Sequence, residues 1–207
     1  MFFTLDGIDG TGKSTQLSLL ADWLRSAGHE VVVCRDPGST TLGEAVRKIL
    51  LDSRQVPIAR TSEMLLYMAA RAQLVAEVIS PALSAGETVV CDRFLLANVV
   101  YQGHAGGLDV ATLWQIGRVA TVGVEPDLTL LLDLPLEVAA ARLDRPLDRM
   151  EQQGDAYRAR LREGFLQEAA RQPEKIVIVN AAQTVAAVHA DICAAVSNTL
   201  NAKKASR

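Results

Sequence analysis

Histidine and cysteine are both scarce in this chain of 207 residues, with three of each. Cys34, Cys91 and Cys193 are odd in number, far apart and set in apolar runs, which argues against a disulfide framework and for free thiols in a reducing compartment. His29 falls in a connection, His104 in a glycine-rich loop and His189 on the last helical segment, so all three read as surface or packing residues and none as a catalytic base. A basic stripe is also missing. The 21 Lys and Arg residues are scattered among 24 Asp and Glu, for a net charge of −3, so no nucleic-acid polymer is expected as a partner, although a nucleotide remains compatible. No apolar run is long enough to span a membrane, and Met1 to Leu5 lead straight into a glycine loop without the features of a signal segment. The expected location is cytoplasmic, with no membrane partner. Repeats, low-complexity tracts and interdomain linkers are absent, so residues 1–207 are expected to form a single domain, with a frayed polar tail over 201–207.

What is present is an alternation of short apolar runs with amphipathic segments. Strands are expected at Phe2 to Leu5, Glu30 to Cys34, Thr88 to Cys91, Leu128 to Leu132 and Lys175 to Val179. Helices are expected from about Lys13 to Ala27, Leu42 to Leu51, Ser62 to Leu83, Asp109 to Val122, Leu136 to Leu143, Asp155 to Ala170 and Val185 to Leu200. Runs that are apolar throughout, rather than alternating, belong in a parallel sheet buried on both faces by right-handed crossovers. The expected class is α/β: a P-loop NTPase-type three-layer α/β/α fold with a five-stranded parallel sheet surrounded by helices.

Between the first strand and first helix stands Gly7-Ile8-Asp9-Gly10-Thr11-Gly12-Lys13-Ser14, followed by Thr15. Glycines permit the backbone conformations that turn successive N–H groups toward one anion at a helix N-terminus. In such a phosphate loop the lysine reaches the outer phosphates of a nucleotide such as ATP, and the Ser14 hydroxyl helps hold Mg²⁺. A second element is Asp92-Arg93, at the carboxyl end of the third strand, where open parallel sheets bind ligands. There a carboxylate can orient a Mg²⁺ shell and a guanidinium can meet a phosphate through two donors; a structural ion pair is the alternative.

Further segments, in order along most of residues 1–200, make the chain resemble the thymidylate kinases. Arg35-Asp36-Pro37-Gly38-Ser39-Thr40, with Arg47 following, is similar to that family's Arg-Glu-Pro-Gly-Gly-Thr segment. The helix containing Tyr67 and Arg71 resembles its thymine-binding helix, and Asp92-Arg93-Phe94 through Tyr101-Gln102-Gly103 its Asp-Arg-Tyr segment. Pro126 to Asp133 is similar to the fourth-strand motif, and Asp148 to Gln152 to the end of the lid.

The resemblance implies transfer of phosphate from ATP to dTMP with Mg²⁺, in the supply of dTTP, by a homodimer. Leu65 to Leu74 or Val99 to Val100 would be its contacts. It implies that Gly7, Ile8, Asp9, Gly10, Thr11, Gly12, Lys13, Ser14 and Thr15 bind ATP, and that Ser14 and Asp92 serve the metal. Asp9 would meet the acceptor's 3′-hydroxyl, with Asp36 near the same sugar. Arg47 and Arg93 would hold its phosphate. Tyr67 would stack on the base, Arg71, Asn98 and Gln102 would read its edge, Tyr101 would crowd the 2′ position and Pro37 would floor the methyl pocket. A methyl pocket is worth only about 1–3 kcal/mol, so dUMP is expected to be disfavoured modestly.

Chemistry on a phosphate monoester needs no strong base, because its second pKa is about 6. Catalysis is expected from Lys13, Arg93, Asp92 and a mobile arginine. Some family members carry that arginine in the phosphate loop, where this chain has Gly10, so Arg145 or Arg149 in a lid at about 143–153 is expected to supply it. Other departures are Asp36 for Glu, Ser39 for Gly and Phe94 for Tyr. Another nucleoside monophosphate kinase or a deoxynucleoside kinase of the same fold is the nearest rival. A regulatory nucleotide switch is disfavoured, since no Asn-Lys-x-Asp segment is present.

Overall fold

The computed structural model of the chain describes residues 1–52, 57–142 and 154–205. Five strands, β1 (Phe2–Asp6), β2 (Val31–Arg35), β3 (Thr88–Asp92), β4 (Leu128–Asp133) and β5 (Ile176–Asn180), form one sheet in the order β2-β3-β1-β4-β5. Every pairing is parallel, and each strand lies within one residue of its expected bounds. β1 is buried along its whole length, as a central strand covered on both faces must be. The helices are α1 (Lys13–Ser26), α2 (Thr41–Asp52), α3 (Arg60–Leu74), α4 (Ser80–Ser84), α5 (Leu95–Asn98), α6 (Val110–Ala120), α7 (Leu136–Ala141), α8 (Asp155–Arg171) and α9 (Val185–Ala205). Separate apolar clusters fill the two sides of the sheet, one built on Leu5, Leu130, Phe165 and Ile192, the other on Phe2, Val89, Phe94 and Met68.

Strand order creates the site. The chain leaves β1 toward β2 on one side and leaves β3 toward β4 on the other, so the loops following these adjacent strands diverge and open a crevice at their carboxyl ends. The strand ends are flush, since Leu5 pairs with Asp92.

Four features depart from the sequence reading. The segment expected as one helix from Ser62 to Leu83 contains a π-helical turn, Val75–Ile79, just before α4. Pro81, in the first turn of α4, has no N–H with which to continue an α ladder, and the chain widens there by a residue. A second helical piece, α5 continuing into a π-helical turn at Val99–Ala105, has no counterpart in the expected elements. Its residues are buried almost all round, so it lacks the one-sided apolar pattern by which helices are recognised. That burial also removes Val99 and Val100 as contacts with a second copy: both are 0% exposed, whereas Leu65 on α3 is 52% exposed. Finally, α9 runs on to Ala205 instead of fraying at 201, and Lys203 donates to Asp127, whose other oxygen accepts from the Phe2 amide at 2.7 Å. Among the described residues no helix is long and apolar enough to cross a membrane.

Candidate active site

The phosphate loop bridges β1 and α1, with Gly7, Gly10 and Gly12 all at positive φ. At Gly10 a side chain is doubly excluded. Its φ is +86°, and a β-carbon there would lie 2.4 Å from the backbone oxygen of Ala139 on α7. An arginine at this position would need α7 to move, which gives a packing reason for the loop to carry glycine. Gly10→Ala is expected to lower the unfolding temperature by roughly 5 °C, since left-handed strain and the clash together cost about 2 kcal/mol. An unchanged transition in calorimetry would contradict this.

Lys13 is buried under the loop and donates to the carbonyls of Gly7 at 3.1 Å and Ile8 at 2.9 Å. Burial, with the nearby Arg93 charge, lowers its pKa to about 8 against the opposing pull of Asp9. Thr11 closes the loop through its hydroxyl to Ile8 O. Arg93 reaches across from the end of β3. It donates to Gly7 O at 2.9 Å, to Asp9 Oδ1 at 2.7 Å and to Tyr101 Oη at 3.1 Å, with its guanidinium 5.1 Å from the Tyr101 ring centroid. Tyr101 in turn donates to Asp9 Oδ2. Burial alone would raise the Asp9 pKa, but Arg93 and Lys13 outweigh it and hold the carboxyl well below the usual range.

A second polar system runs through the apolar layer beside the crevice. Arg71, 1% exposed, donates from Nε to Asp36 Oδ2 at 2.6 Å, from Nη1 to Asn98 Oδ1 at 3.0 Å and from Nη2 to Phe94 O at 3.3 Å. Asn98 continues to Gln102 at 2.6 Å, and Gln102 donates to Glu63 at 2.8 Å. A run of buried groups this long is stable only if its members satisfy one another. A further Nη1 hydrogen goes to Met68 Sδ at 3.2 Å, so of the five guanidinium N–H groups one, on Nη2, is left over for a ligand. Asp36 Oδ1 has no hydrogen-bond partner among the described residues, and burial raises the Asp36 pKa against the opposing charge of Arg71.

The two systems line one cavity of about 480 Å³. Asp9, Gly10, Gly12, Lys13, Ser14 and Thr15 form the loop side, with Asp92 and Arg93 between. Asp36, Pro37, Arg47, Tyr67, Arg71, Asn98, Tyr101 and Gln102 form the other side. Arg47 donates to Pro37 O at 3.0 Å. Gly7, Ile8 and Thr11, also expected on the ATP side, are not in the cavity lining; the carbonyls of Gly7 and Ile8 accept from Lys13, and the Thr11 hydroxyl donates to Ile8 O. Arg145, Arg149 and the expected lid at 143–153 lie outside the described residues.

Several participants were not expected. Glu63 belongs to the buried polar run through Gln102, and the fact that it precedes Arg71 by two helical turns on α3 was the available signal. Arg142 lines the cavity while donating to Ala181 O at 3.0 Å, and Arg35 lines it while pairing with Glu44. His104, expected as an ordinary surface or packing residue, lies 2.7 Å from an oxygen of Glu168, a 1%-exposed carboxylate on α8 that also accepts from Trp114 and Arg171. Together with a bond from Tyr157 Oη to Tyr101 O, this ties the π-helical turn carrying Tyr101 and Gln102 to α8.

Asp6, at the end of β1, is fully buried, and neither of its oxygens has a hydrogen-bond partner among the described residues. Burial pushes its pKa up to about 7, opposed by Arg93 and Lys13. A carboxyl whose folded pKa exceeds its unfolded value costs nothing below the unfolded pKa and destabilises as pH rises toward the folded one. Asp6→Asn is therefore expected to gain stability relative to the parent, by about 2–3 kcal/mol, between pH 5 and pH 8. Denaturant titrations at both values test this, and a constant difference would refute it.

The thymidylate kinase family model matches residues 5–192. The chain is 48% identical to a thymidylate kinase of Rhodopirellula baltica over 191 residues, covering 92% of this chain and 78% of that protein. It is 47% identical over 183 residues to one of Desulforudis audaxviator, covering 87% and 83%. The crystal structure of thymidylate kinase from Ehrlichia chaffeensis superposes with a TM-score of 0.77 at 29% identity, covering 95% of this chain and 98% of that one.

Proposed function

The chain belongs to the thymidylate kinase family and phosphorylates dTMP by ATP-dependent phosphoryl transfer, and from that premise we propose how its cavity divides the work. The observation that carries the proposal is the joining of the phosphate loop and the buried run from Asp36 through Arg71, Asn98 and Gln102 to Glu63 in a single cavity. One side suits a polyphosphate, the other a planar base read by hydrogen bonds, and Arg93 stands between them.

On the donor side, the loop from Gly7 to Thr15 turns backbone N–H groups toward the phosphates of ATP, and Lys13 exchanges its two loop carbonyls for phosphate oxygens. A phosphate dianion beside Lys13 restores the charge that burial weakens. On the acceptor side, Arg93 and Arg47 grip the monophosphate of dTMP, and the ionised Asp9 accepts from its 3′-hydroxyl. Tyr67 stacks on thymine, the remaining Nη2 hydrogen of Arg71 meets a base carbonyl, and Asn98 and Gln102 keep the base edge in register. Tyr101, pinned by Asp9 and Arg93, occupies the 2′ side, and Pro37 forms the floor under the methyl group.

Ser14 and Asp92 fit Mg²⁺. Ser14 is exposed in the first turn of α1, and Asp92 Oδ1 is buried with no hydrogen-bond partner among the described residues. This small, oxygen-only donor set matches an ion that keeps water and phosphate oxygens in its shell. Held by these two residues, Mg²⁺ would supply charge neutralisation at the donor phosphates. The acceptor oxygen is already ionised near neutral pH, so Lys13, Arg93 and Asp92 act by alignment and charge neutralisation, not by proton abstraction. We propose further that Arg145 or Arg149 completes that charge from a lid. Full turnover in both Arg145→Ala and Arg149→Ala would remove this part of the reading. A single-domain, cytoplasmic homodimer completes the proposal, with Leu65 on the exposed face of α3 as a contact.

The test is coupled ADP release with ATP and Mg²⁺ against dTMP, dUMP, UMP, CMP, AMP and thymidine. The expected order is dTMP first and dUMP second, within a factor of roughly 10–200 of it. Highest activity on thymidine would convert the assignment to a deoxynucleoside kinase.

A further inference from the structure

A second cavity, of about 370 Å³, lies away from the nucleotide crevice, between α6, the sheet and the carboxyl end of α8. Its walls include Phe94, Leu95, Trp114 and Ile176, and its floor is a pair of threonines on the two adjacent strands β1 and β4. Thr4 and Thr129 are the polar interruptions in otherwise apolar stretches, Phe2 to Leu5 and Leu128 to Leu132. Their hydroxyl oxygens lie 2.8 Å apart, with Thr4 at 0% and Thr129 at 6% exposure.

Two hydroxyls facing each other spend only one of their two hydrogens on the mutual bond. The other hydrogen has no acceptor among the described residues, although both threonines line the cavity. A hydroxyl hydrogen not used between the threonines is available to a ligand carbonyl, which would take the place of water as its acceptor. At the solvent end the lining is charged and uneven. Lys175 and Arg118 share the single carboxylate of Glu125, at 2.5 Å and 4.0 Å, so the mouth carries one cation more than it neutralises.

We propose that this cavity is a second ligand site, for a planar bicyclic molecule with a ring carbonyl at its inner edge and a carboxylate at its outer edge. The aromatic and aliphatic walls take the ring, the Thr4–Thr129 pair donates to the carbonyl, and Arg118 and Lys175 receive the carboxylate. Cavities of this size, apolar with a few placed polar groups, are the usual form of small-molecule sites.

The test uses 2-oxo-1,2-dihydroquinoline-6-carboxylate as probe and naphthalene-2-carboxylate, which lacks the inner acceptor, as its control. Both are titrated into the full chain saturated with dTMP and an unreactive ATP analogue, so that the nucleotide cavity is filled. The chain has two tryptophans, Trp23 and Trp114, and the indole N–H resonance of Trp114 alone is expected to move. For a ligand of about 14 heavy atoms, saturation with a dissociation constant of about 1 mM or tighter is expected. The control should bind at least fivefold more weakly.

Thr4→Val with Thr129→Val replaces both hydroxyls by methyls of the same shape, a change that leaves folding nearly unaffected. It should abolish the difference between probe and control. Ala111→Phe, at an exposed position on the cavity rim, should block both ligands. Unaltered dTMP phosphorylation in the variants verifies that they are folded. The proposal is overturned by a Trp114 resonance that shows no saturable shift, by equal affinity for probe and control, or by binding that persists in Ala111→Phe.

Discussion

Arg93→Ala is expected to lower kcat by about 10³-fold, in the range seen when a guanidinium that neutralises a transferring phosphoryl group is removed. Arg93 joins the parts of the crevice: the phosphate loop through Gly7 O, the carboxylate of Asp9, and the wall beyond it through Tyr101. Its loss removes the one group that joins all three and the main partner of Asp9, leaving that carboxylate the Tyr101 hydroxyl and Lys13 at 3.7 Å. Backbone strain does not confound the comparison, because alanine at the φ of +64° found here carries the same β-carbon penalty as arginine. Since Asp9 is 29% exposed, the accompanying loss of stability is expected to be only about 1–2 kcal/mol. Arg93→Lys should recover no more than about tenfold, since one ammonium cannot reproduce the two-sided fork. Initial-rate kinetics at saturating ATP and dTMP decide the matter; an alanine variant within tenfold of the parent would show that Arg93 is structural.

Arg71→Ala is expected to raise KM for dTMP by about 10²-fold or more while moving kcat and KM for ATP much less, because the interaction proposed for Arg71 is with the base, remote from the transferring group. It should also cost about 3–5 kcal/mol of stability, the usual result of removing one member of a buried ion pair. The Arg71 and Asp36 side chains are 2% and 0% exposed, so the carboxyl left behind loses its partner at a buried position. In a chain of this size that corresponds to a fall in unfolding temperature of roughly 10 °C. Arg71→Lys should recover little of either property, because a single ammonium cannot serve Asp36, Asn98 and Phe94 O together. Calorimetry and substrate titration separate the two effects, and a KM within threefold of the parent would remove Arg71 from base recognition.

The layers of the fold were legible because the features that encode them are local. Apolar runs read as parallel strands to within one residue, although the edge strands β2 and β5 are not buried on both faces, and the glycine–lysine–serine spacing located the loop between β1 and α1. Asp92 and Arg93 were legible by the same logic, as charged residues ending an apolar strand. Glu63 and the role of His104 were not, because a buried carboxylate on an amphipathic helix looks in sequence like any exposed one. The helical piece from Leu95 to Ala105 escaped notice because burial on all sides erases the periodicity that marks a helix.

By itself, then, the sequence determined the elements, the phosphate loop, the resemblance and the residue types of the site. All of these rest on spacings of a few residues along the chain. Only the tertiary structure decided which of those residues share a cavity, that Arg71 spends most of its donors on the protein, that Ala139 excludes a side chain at Gly10, and that Asp6 is left without a hydrogen-bond partner among the described residues. Those outcomes depend on contacts between segments tens of residues apart, and on burial, which sets the energy of a charge and is a property of the folded whole.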